Sequence, residues 1–184
     1  GSGRQYKGGD IPELELDPAG VERLVVHRDL LRRWAPKVNL TTVLDDRGMA
    51  ERLYLDSALV AKFLAPGASL HDVGSGAGFP GLVLKALRPD LRVTLTEARR
   101  KRVTFLKQAA REMDLGPGLD IRWQRLGWEA EGTPGQLPKE VWQEVISRAS
   151  FPPEVWLEAG SGLVSAGGRL WIMAGQPHGP AEQP

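Results

Sequence analysis

The chain has 184 residues, of which 41% are hydrophobic, and this length supports one well-buried core but not two ordinary domains. Its 24 basic and 23 acidic side chains leave a net charge of +1, so any affinity for nucleic acid must come from local clustering of charge. The absence of cysteine excludes disulfides, thiolate metal sites and cysteine nucleophiles. No apolar run approaches the roughly 20 residues that span a bilayer, and we therefore expect a soluble, cytoplasmic monomer with no membrane and no metal partner.

Residues 17–64 are predicted to form a helical layer that follows a flexible N-terminus, residues 1–16. Asp17-Pro18 is typical of a helix start, because a capping carboxylate precedes a ring whose missing N–H costs nothing in the first turn. This helix should run to about Trp34, and a second one is expected at about 47–64. The apolar residues of the first helix fall near helical spacing and are Val21, Leu24, Val25, Leu31 and Ala35.

Strands and helices are predicted to alternate over residues 69–175, and a loose tail rich in proline and glycine follows at 176–184. The strands are expected at 69–73, 91–96, 119–123, 141–147 and 168–174. The helices are expected at 79–87, at 99–113 and after Pro152-Pro153. Because this alternation buries a mostly parallel sheet between helices, the fold class is doubly wound α/β in a single domain.

The first strand leads into a glycine loop, Gly74-Ser75-Gly76-Ala77-Gly78. In doubly wound sheets a ligand binds beyond the carboxyl ends of the strands, where this loop would lie. Its glycines allow a close approach of the backbone, and the N–H groups of the following helix favour an anionic group. Glu97 ends the second strand about twenty residues downstream, where a carboxylate can accept both hydroxyls of a ribose. The two features predict one nucleoside site.

Other interpretations of the glycine loop are weaker. A tight strand-to-helix turn also uses glycine for purely structural reasons. The spacing G-x-G-x-G differs from the G-x-G-x-x-G of a dinucleotide site, and no Gly-Lys-Ser/Thr follows as a phosphate-binding P-loop requires.

Several short motifs recur in a characteristic order: Val38-Asn39-Leu40-Thr41, Leu55-Asp56-Ser57, Asp72 to Gly81, Arg88-Pro89-Asp90, Lys101-Arg102-Val103 and Ser147-Arg148-Ala149. From about Arg28 to about Gly175 the chain resembles the RsmG family, also called glucose-inhibited division protein B. These are guanine-N7 methyltransferases of bacterial small-subunit ribosomal RNA. The resemblance implies a class I, Rossmann-like methyltransferase fold, S-adenosylmethionine as cofactor, and ribosomal RNA or the small ribosomal subunit as partner.

The resemblance also implies roles for particular residues. It assigns Gly74 and Phe79 to the cofactor, Glu97 to its ribose, and Leu126 and Gly127 to a place beside the adenine, while the glycine loop itself adds Ser75, Gly76 and Gly78 as cofactor-binding candidates. Arg148 would reach the cofactor or the target base and is the candidate catalytic residue. The face that meets RNA or organises the site would include Arg52, Asp56, Ser57, Lys101 and Arg102, and the basic cluster adds Arg99 and Arg100 as candidates for RNA binding.

The chain departs from the family pattern at four places. Leu53-Tyr54 stands where family members commonly carry a histidine, Leu126-Gly127 replaces an alanine–glutamate pair, and Ala174 replaces a lysine. The antiparallel hairpin that normally follows the fifth strand is expected to be absent. Two alternatives therefore stay open: a relative that methylates a small molecule or protein, and a non-catalytic binding protein that keeps the fold.

Transfer of a methyl group to guanine N7 needs no general base, because the nitrogen lone pair carries no proton at neutral pH, and positioning should dominate catalysis. The positions of the histidines fit a site without a general base, because we expect His71 to be covered by packing and His27 to face solvent. Arg148 has a structural alternative as an ion-pair partner of Asp72.

The basic cluster of residues 99–102 has a structural alternative as a solvated helix face. Phosphate contacts explain it better, because cations at a helix N-terminus oppose the helix dipole. Of the tryptophans, Trp128 is a candidate for stacking on the cofactor or target, whereas most of the others are expected in the core, namely Trp34, Trp142, Trp156 and Trp171.

Overall fold

The structure is a computed structural model, and it describes residues 16–38, 40, 53–125, 139–148 and 152–173. The helices in these ranges are α1 (Pro18–Trp34), α2 (Asp56–Ala61), α3 (Gly81–Leu87), α4 (Arg100–Glu112) and α5 (Pro153–Ser161). The strands are β1 (Ser69–Val73), β2 (Arg92–Glu97), β3 (Leu119–Trp123), β4 (Trp142–Arg148) and β5 (Val164–Met173).

The five strands form one parallel sheet in the order β3-β2-β1-β4-β5. β1 is central, with Asp72 beside Leu95 of β2 and Ile146 of β4. The chain first builds outward from β1 through β2 to β3 and then crosses to β4 on the other side, so the strand order reverses beside β1. This is the doubly wound α/β architecture that the alternation predicted, and it creates a ligand-binding crevice at the carboxyl end of β1.

Both faces of the sheet are covered, because the central strands have buried side chains on both faces. β1 and β2 are buried along nearly their whole length, which is typical of parallel strands between two helical layers. α4 turns its apolar residues Val103, Phe105, Leu106 and Ala109 into the core. Trp142, Val145, Trp156 and Leu163 form a second cluster at the β4–α5 side.

Several predicted element boundaries are wrong in instructive ways. β5 begins at Val164 rather than Gly168, and its register against β4 shifts between Trp142 and Glu144, where the extra residues form a bulge containing Gly167 at φ +76°. α3 begins at Gly81 rather than at residue 79. Within the described residues, the second helix predicted at 47–64 is met by a π-helical turn at 53–55 that continues into α2.

α1 has the predicted bounds, but only part of its predicted apolar face is buried. Leu31 and Ala35 are buried and Leu24 packs against the core, as predicted, whereas Val21 and Val25 are 39% and 42% exposed. Gly20, His27 and Leu30 are buried in addition. The Asp17 carboxylate makes no capping hydrogen bond. Helical spacing alone could not reveal that a glycine and a histidine lie on the buried face.

The Arg88-Pro89-Asp90 motif ties α2 to the sheet. The Arg88 guanidinium donates to the carbonyls of Ala61 and Leu64 at 3.0 and 3.1 Å, which satisfies the last turn of α2. Asp90 accepts from Arg88 and from the Gly67 N–H, and these contacts lower its pKa to about 2. The motif is therefore structural, because it fixes the end of α2 against the segment that follows α3.

Candidate functional site

A cavity of about 510 Å³ lies at the carboxyl edge of the sheet, where the topology predicts a ligand. Its walls come from the glycine loop, the ends of β1, β2 and β4, the start of α4, the segment after β3, and Leu40 and Leu53. The residues assigned to the cofactor that line it are Gly74, Ser75, Gly76, Phe79, Glu97 and Arg148. Gly78 does not line it.

The N–H groups of the glycine loop fix its shape, because two of them donate to the β2 backbone and one donates within the loop. Gly74 and Ser75 donate to the Thr96 carbonyl at 2.9 and 3.1 Å, and Gly78 donates to the Ser75 carbonyl at 2.7 Å. Gly76 and Gly78 have φ of +54° and +93°, in the left-handed region that favours glycine. A Cβ on Gly78 would also lie 2.6 Å from Leu82, so this glycine shapes the loop from behind rather than contacting a ligand.

Glu97 joins the loop to the start of α4. Its carboxylate accepts the N–H of Gly76 at 3.0 Å and the N–H of Arg99 at 2.7 Å, and Arg102 lies 3.8 Å away. The side chain is buried at the end of β2 yet borders the cavity. Each carboxylate oxygen can accept more than one hydrogen bond, so acceptor capacity remains for the two hydroxyls of a ribose.

The Asp72 carboxyl lies at the N-terminus of α3, where the sequence predicted that an anionic group of a ligand would bind. Its carboxyl is fully buried and accepts the Gly81 N–H at 2.9 Å, the first N–H of α3. Burial raises the pKa of Asp72 to about 7, against the effect of the Gly81 and Ser75 hydrogen bonds. The expectation that this helix N-terminus would favour a ligand anion is therefore wrong for Gly81, because a protein carboxyl already accepts that N–H.

His27 is fully buried, and the prediction that it faces solvent is wrong. Its Nε2 lies 2.8 Å from the carbonyl oxygen of Ala77 in the glycine loop, and its Nδ1 lies 2.7 Å from the Tyr54 hydroxyl. Burial lowers the pKa of His27 to about 4, so the ring is neutral, and a neutral ring donates from Nε2 to Ala77 and accepts the Tyr54 hydroxyl at Nδ1. Phe79 packs edge-on against both rings. Tyr54, one of the departures from the family pattern, thus holds the loop from outside.

Arg148, at the end of β4, also lines the cavity. It does not pair with Asp72, the structural alternative weighed for it, but faces Asp56 of α2 at 3.6 Å and donates to the Leu53 carbonyl at 3.4 Å. Burial lowers the pKa of Arg148 and raises that of Asp56. Its side chain keeps 19% of its surface exposed, so its charge borders the cavity without lying in open solvent.

A second depression of about 360 Å³ adjoins the cavity, and we call it the basic groove. It is lined by Pro36, Lys37, Val38, Arg99, Arg100, Lys101 and Arg102. Arg99 and Arg102 line both depressions. The sequence pattern indicated the four cations of residues 99–102 but missed Lys37, because only the packing of α1 against α4 brings it to them.

The remaining predictions divide between the core and the segments that are not described. His71 is buried as expected, with its Nε2 3.1 Å from the Thr96 hydroxyl, and burial lowers its pKa to about 3. Trp142 and Trp156 are buried, and Trp34 and Trp171 pack against the core. The proposed roles that lie outside the described residues are those of Arg52, Leu126, Gly127 and Trp128, together with the replacement at Ala174 and the expected absence of a C-terminal hairpin.

Gln124 and Arg125 also line the cavity, although the sequence pattern did not single them out. Both follow β3 directly, and the Gln124 N–H donates to the Glu97 carbonyl at 3.1 Å. The rule that residues beyond the carboxyl ends of parallel strands meet at one edge could have found them.

The donor set fits a nucleoside with a charged tail. Glu97 offers acceptors for a ribose, and Arg148 offers a cation for a carboxylate. The backbone at Gly76 is open to a ligand, because even a Cβ at this position would meet nothing closer than the Arg102 guanidinium at 3.7 Å. In the described ranges no group of three or more acidic or histidine side chains could hold a metal ion. No helix of those ranges is long and apolar enough to cross a membrane.

The parallel sheet, its central crevice and the glycine loop with Glu97 together define a class I methyltransferase fold. A solved coclaurine N-methyltransferase, bound to N-methylheliamine and SAH, has the same fold with a TM-score of 0.57 at 17% identity, and the match covers 85% of this chain and 51% of that one. The family described as rRNA small subunit methyltransferase G matches residues 21–179, and the chain belongs to this family.

Individual relatives match over most of their length. The ribosomal RNA small subunit methyltransferase G of Symbiobacterium thermophilum is 36% identical over 166 residues, which cover 88% of this chain and 67% of the relative. The protein of the same name from Anaeromyxobacter sp. strain Fw109-5 is 38% identical over 165 residues, which cover 89% of this chain and 73% of the relative. The predicted fold, the predicted family, and the prediction of a methyltransferase that uses S-adenosylmethionine are thus confirmed.

Proposed function

We propose that this protein transfers a methyl group from S-adenosylmethionine to N7 of a guanine in small-subunit ribosomal RNA. The observation that carries the proposal is the junction of two depressions at Arg99 and Arg102: one has the donors and acceptors for a nucleoside cofactor, and the other is lined by cations that suit phosphates. Membership in the rRNA methyltransferase family supports the same substrate.

The side chains of the cavity position the reactants rather than exchange protons. Glu97 would accept the ribose hydroxyls, and the glycine loop, which lines the cavity beside it, would hold the cofactor. When bound, S-adenosylmethionine supplies an electrophilic methyl group on its sulfonium. Guanine N7 needs no deprotonation, and a cavity that holds the nitrogen in line with that methyl group performs the chemistry by orientation.

Arg148 is the candidate residue for orienting the base or the cofactor carboxylate, because its charge borders the cavity. The exposed cations of the basic groove position the RNA backbone and carry no sequence information themselves. An rRNA substrate implies that the protein acts in the cytoplasm, and we propose that it acts as a monomer.

The test is methylation of unmethylated small-subunit rRNA, as free RNA and as assembled subunits, with S-adenosylmethionine labelled on its methyl group. N7-methylguanine is then located by chain cleavage at that base. We expect label at a guanine in the RNA, and we expect Glu97→Ala to abolish it. This variant leaves the N–H groups of Gly76 and Arg99 without their acceptor and should weaken cofactor binding about a hundredfold in calorimetry.

Glu140→Ala is the matched control, because Glu140 is an exposed carboxylate that pairs with Arg122 away from the cavity. It should bind cofactor and methylate RNA as the unmodified chain does. Cofactor binding without methylation of either RNA form would favour a small-molecule or protein substrate. Absence of cofactor binding by the unmodified chain would favour a non-catalytic binding protein.

A further inference from the structure

Trp123 is the last residue of β3 and is 62% exposed. Among the described strands β3 pairs only with β2, so no described strand covers its outer edge. An exposed tryptophan offers a large aromatic surface to a ligand. The other described tryptophans are buried or pack against the core.

The Trp123 ring is held in one orientation although it is exposed. Its Nε1 donates to the Ala98 carbonyl at 2.9 Å, and the Arg100 guanidinium lies 5.5 Å from the ring centroid. The polar atom of the ring is therefore satisfied by the protein, and the arginine adds a cation–π contact. A ring fixed in this way can stack on a ligand with little further loss of conformational freedom.

The ring lines neither depression but contacts one residue of each. Its contact Ala98 and its neighbour Gln124 line the cavity, whereas Trp123 itself does not. Its partner Arg100 lines the basic groove. A molecule that lies in the groove and reaches into the cavity would pass close to this aromatic face.

We propose that Trp123 and Arg100 form a stacking platform for an unpaired nucleobase of the RNA next to the target nucleotide. The inference rests on the proposed function, because it requires an RNA substrate. Every nucleobase has a π face that stacks on an aromatic ring, and an arginine beside the ring can contact the adjoining phosphate. The exposed cations Arg99, Arg100 and Lys101 favour this polyanionic occupant over an apolar protein surface.

The test compares Trp123→Ala and Trp123→Phe in the full chain by fluorescence anisotropy with a labelled single-stranded oligoadenylate and with an RNA duplex of the same length. We expect Trp123→Ala to raise the Kd for the single strand about tenfold, as loss of one base–aromatic stack does, and to leave the Kd for the duplex unchanged. Trp123→Phe should restore most of the affinity because it keeps an aromatic face.

Salt dependence separates stacking from charge. Trp123→Ala removes no cation, so the slope of log Kd against log salt concentration should equal that of the unmodified chain, whereas Arg100→Ala should reduce it by about one. Leu157→Ala is the control for an exposed apolar residue, since Leu157 is 54% exposed on α5, which packs on β4 and β5. It should change neither affinity.

Other outcomes overturn the inference. An unchanged single-strand Kd for Trp123→Ala, an equal loss for single strand and duplex, or a loss that Trp123→Phe does not restore would exclude a stacking platform. A change in sedimentation with unchanged RNA affinity would assign the ring to a protein contact. If the unmodified chain binds and methylates RNA while Trp123→Ala does so equally well, only this inference fails; if the unmodified chain neither binds nor methylates RNA, the proposed function fails with it.

Discussion

Two groups of residues that line the cavity are built differently. One group, the loop wall, consists of residues 74–79 with His27 and Tyr54 behind them, and its hydrogen bonds measure 2.7 to 3.1 Å. The other group, which we call the cationic wall, consists of Arg99 and Arg102 near the end of β2 and Arg148 at the end of β4, and the ion pairs of Arg102 and Arg148 measure 3.8 and 3.6 Å. The geometry of the loop wall is fixed by short hydrogen bonds within the protein, whereas these ion pairs of the cationic wall are longer.

This difference matches the two tasks of a methyltransferase. A cofactor must be held in one orientation for an in-line transfer, which favours a wall that is organised before binding. A large polyanionic substrate must approach and leave, which favours cations whose contacts can be exchanged. Substitutions in the loop wall should therefore act on folding and cofactor affinity, and those in the cationic wall on substrate.

The largest effect is expected from the buried carboxyl that supports the loop wall. The pKa of Asp72 is about 7 in the folded protein, compared with 3.8 as its ordinary value. Between these values the folded state keeps a proton that the unfolded state releases, so the free energy of unfolding decreases as the pH rises. In Asp72→Asn this decrease is absent, and the variant should gain up to roughly 4 kcal/mol relative to the unmodified chain between pH 4 and pH 8.

The measurement is urea unfolding of both chains at several pH values. Burial lowers the pKa of His27 and His71, so both chains lose stability as the pH falls from about 6.5. Because that loss is common to the two chains, their difference isolates Asp72. A difference that is independent of pH would mean that Asp72 is ionised in the folded loop wall and that the wall tolerates a charge.

The next largest effect tests the shape of the loop. Gly78→Ala requires a positive φ of an L residue and places its Cβ 2.6 Å from Leu82, which together should cost about 3 kcal/mol of unfolding free energy. The loop should shift as a consequence, and cofactor binding in calorimetry should be lost. Gly67→Ala is the matched control, because Gly67 has φ +66° with nothing near a Cβ, so it should cost about 1 kcal/mol and leave cofactor affinity intact. Equal losses in the two variants would show that strain alone, not the packing behind the loop, decides its stability.

A smaller effect is expected behind the loop wall. Tyr54→Phe keeps the aromatic packing against Phe79 but removes the hydroxyl that His27 contacts at Nδ1. The buried ring nitrogen then lacks its donor, which should cost about 1 kcal/mol of stability and weaken cofactor binding severalfold, since the same ring holds the Ala77 carbonyl. Thermal unfolding and calorimetry measure the two quantities. Cofactor affinity that is unchanged despite lower stability would mean that the loop wall does not depend on this contact.

Much of the fold was predictable because short apolar strands are bounded by glycine, proline and charged residues. The bounds of β1 and β3 agree with the sequence prediction, and Glu97 lies at the predicted cavity because it ends β2 at the carboxyl edge. The long β5 with its bulge was missed, since two adjacent glycines in a strand pattern are more typical of a turn.

The interior of the site was less predictable. His27 and Ala77 are 50 residues apart, and helical spacing gave no sign that a polar ring would be buried between α1 and the loop. In the same way, the sequence indicated that the N–H groups at the start of α3 could donate to a ligand. It did not indicate that the Asp72 carboxyl would accept the Gly81 N–H. Contacts of this kind depend on how distant elements pack, which local patterns do not contain.

The smallest effect on stability, and the most direct test of the cationic wall, is expected from Asp56→Asn. The Asp56 side chain is 52% exposed and lies 3.6 Å from Arg148, so removal of this ion pair should change the free energy of unfolding by less than about 0.5 kcal/mol. Arg148 then lines the cavity without the Asp56 charge beside it, and binding of an anionic ligand should become about threefold tighter at low salt. Asp29→Asn removes the same charge from a side chain of equal exposure that pairs with Arg28 on α1, and it should leave this affinity unchanged. If both variants tighten binding equally, the change in net charge explains the gain, and release of Arg148 from Asp56 does not. The cationic wall would then be no easier for a ligand to rearrange than the loop wall, despite its longer ion pairs.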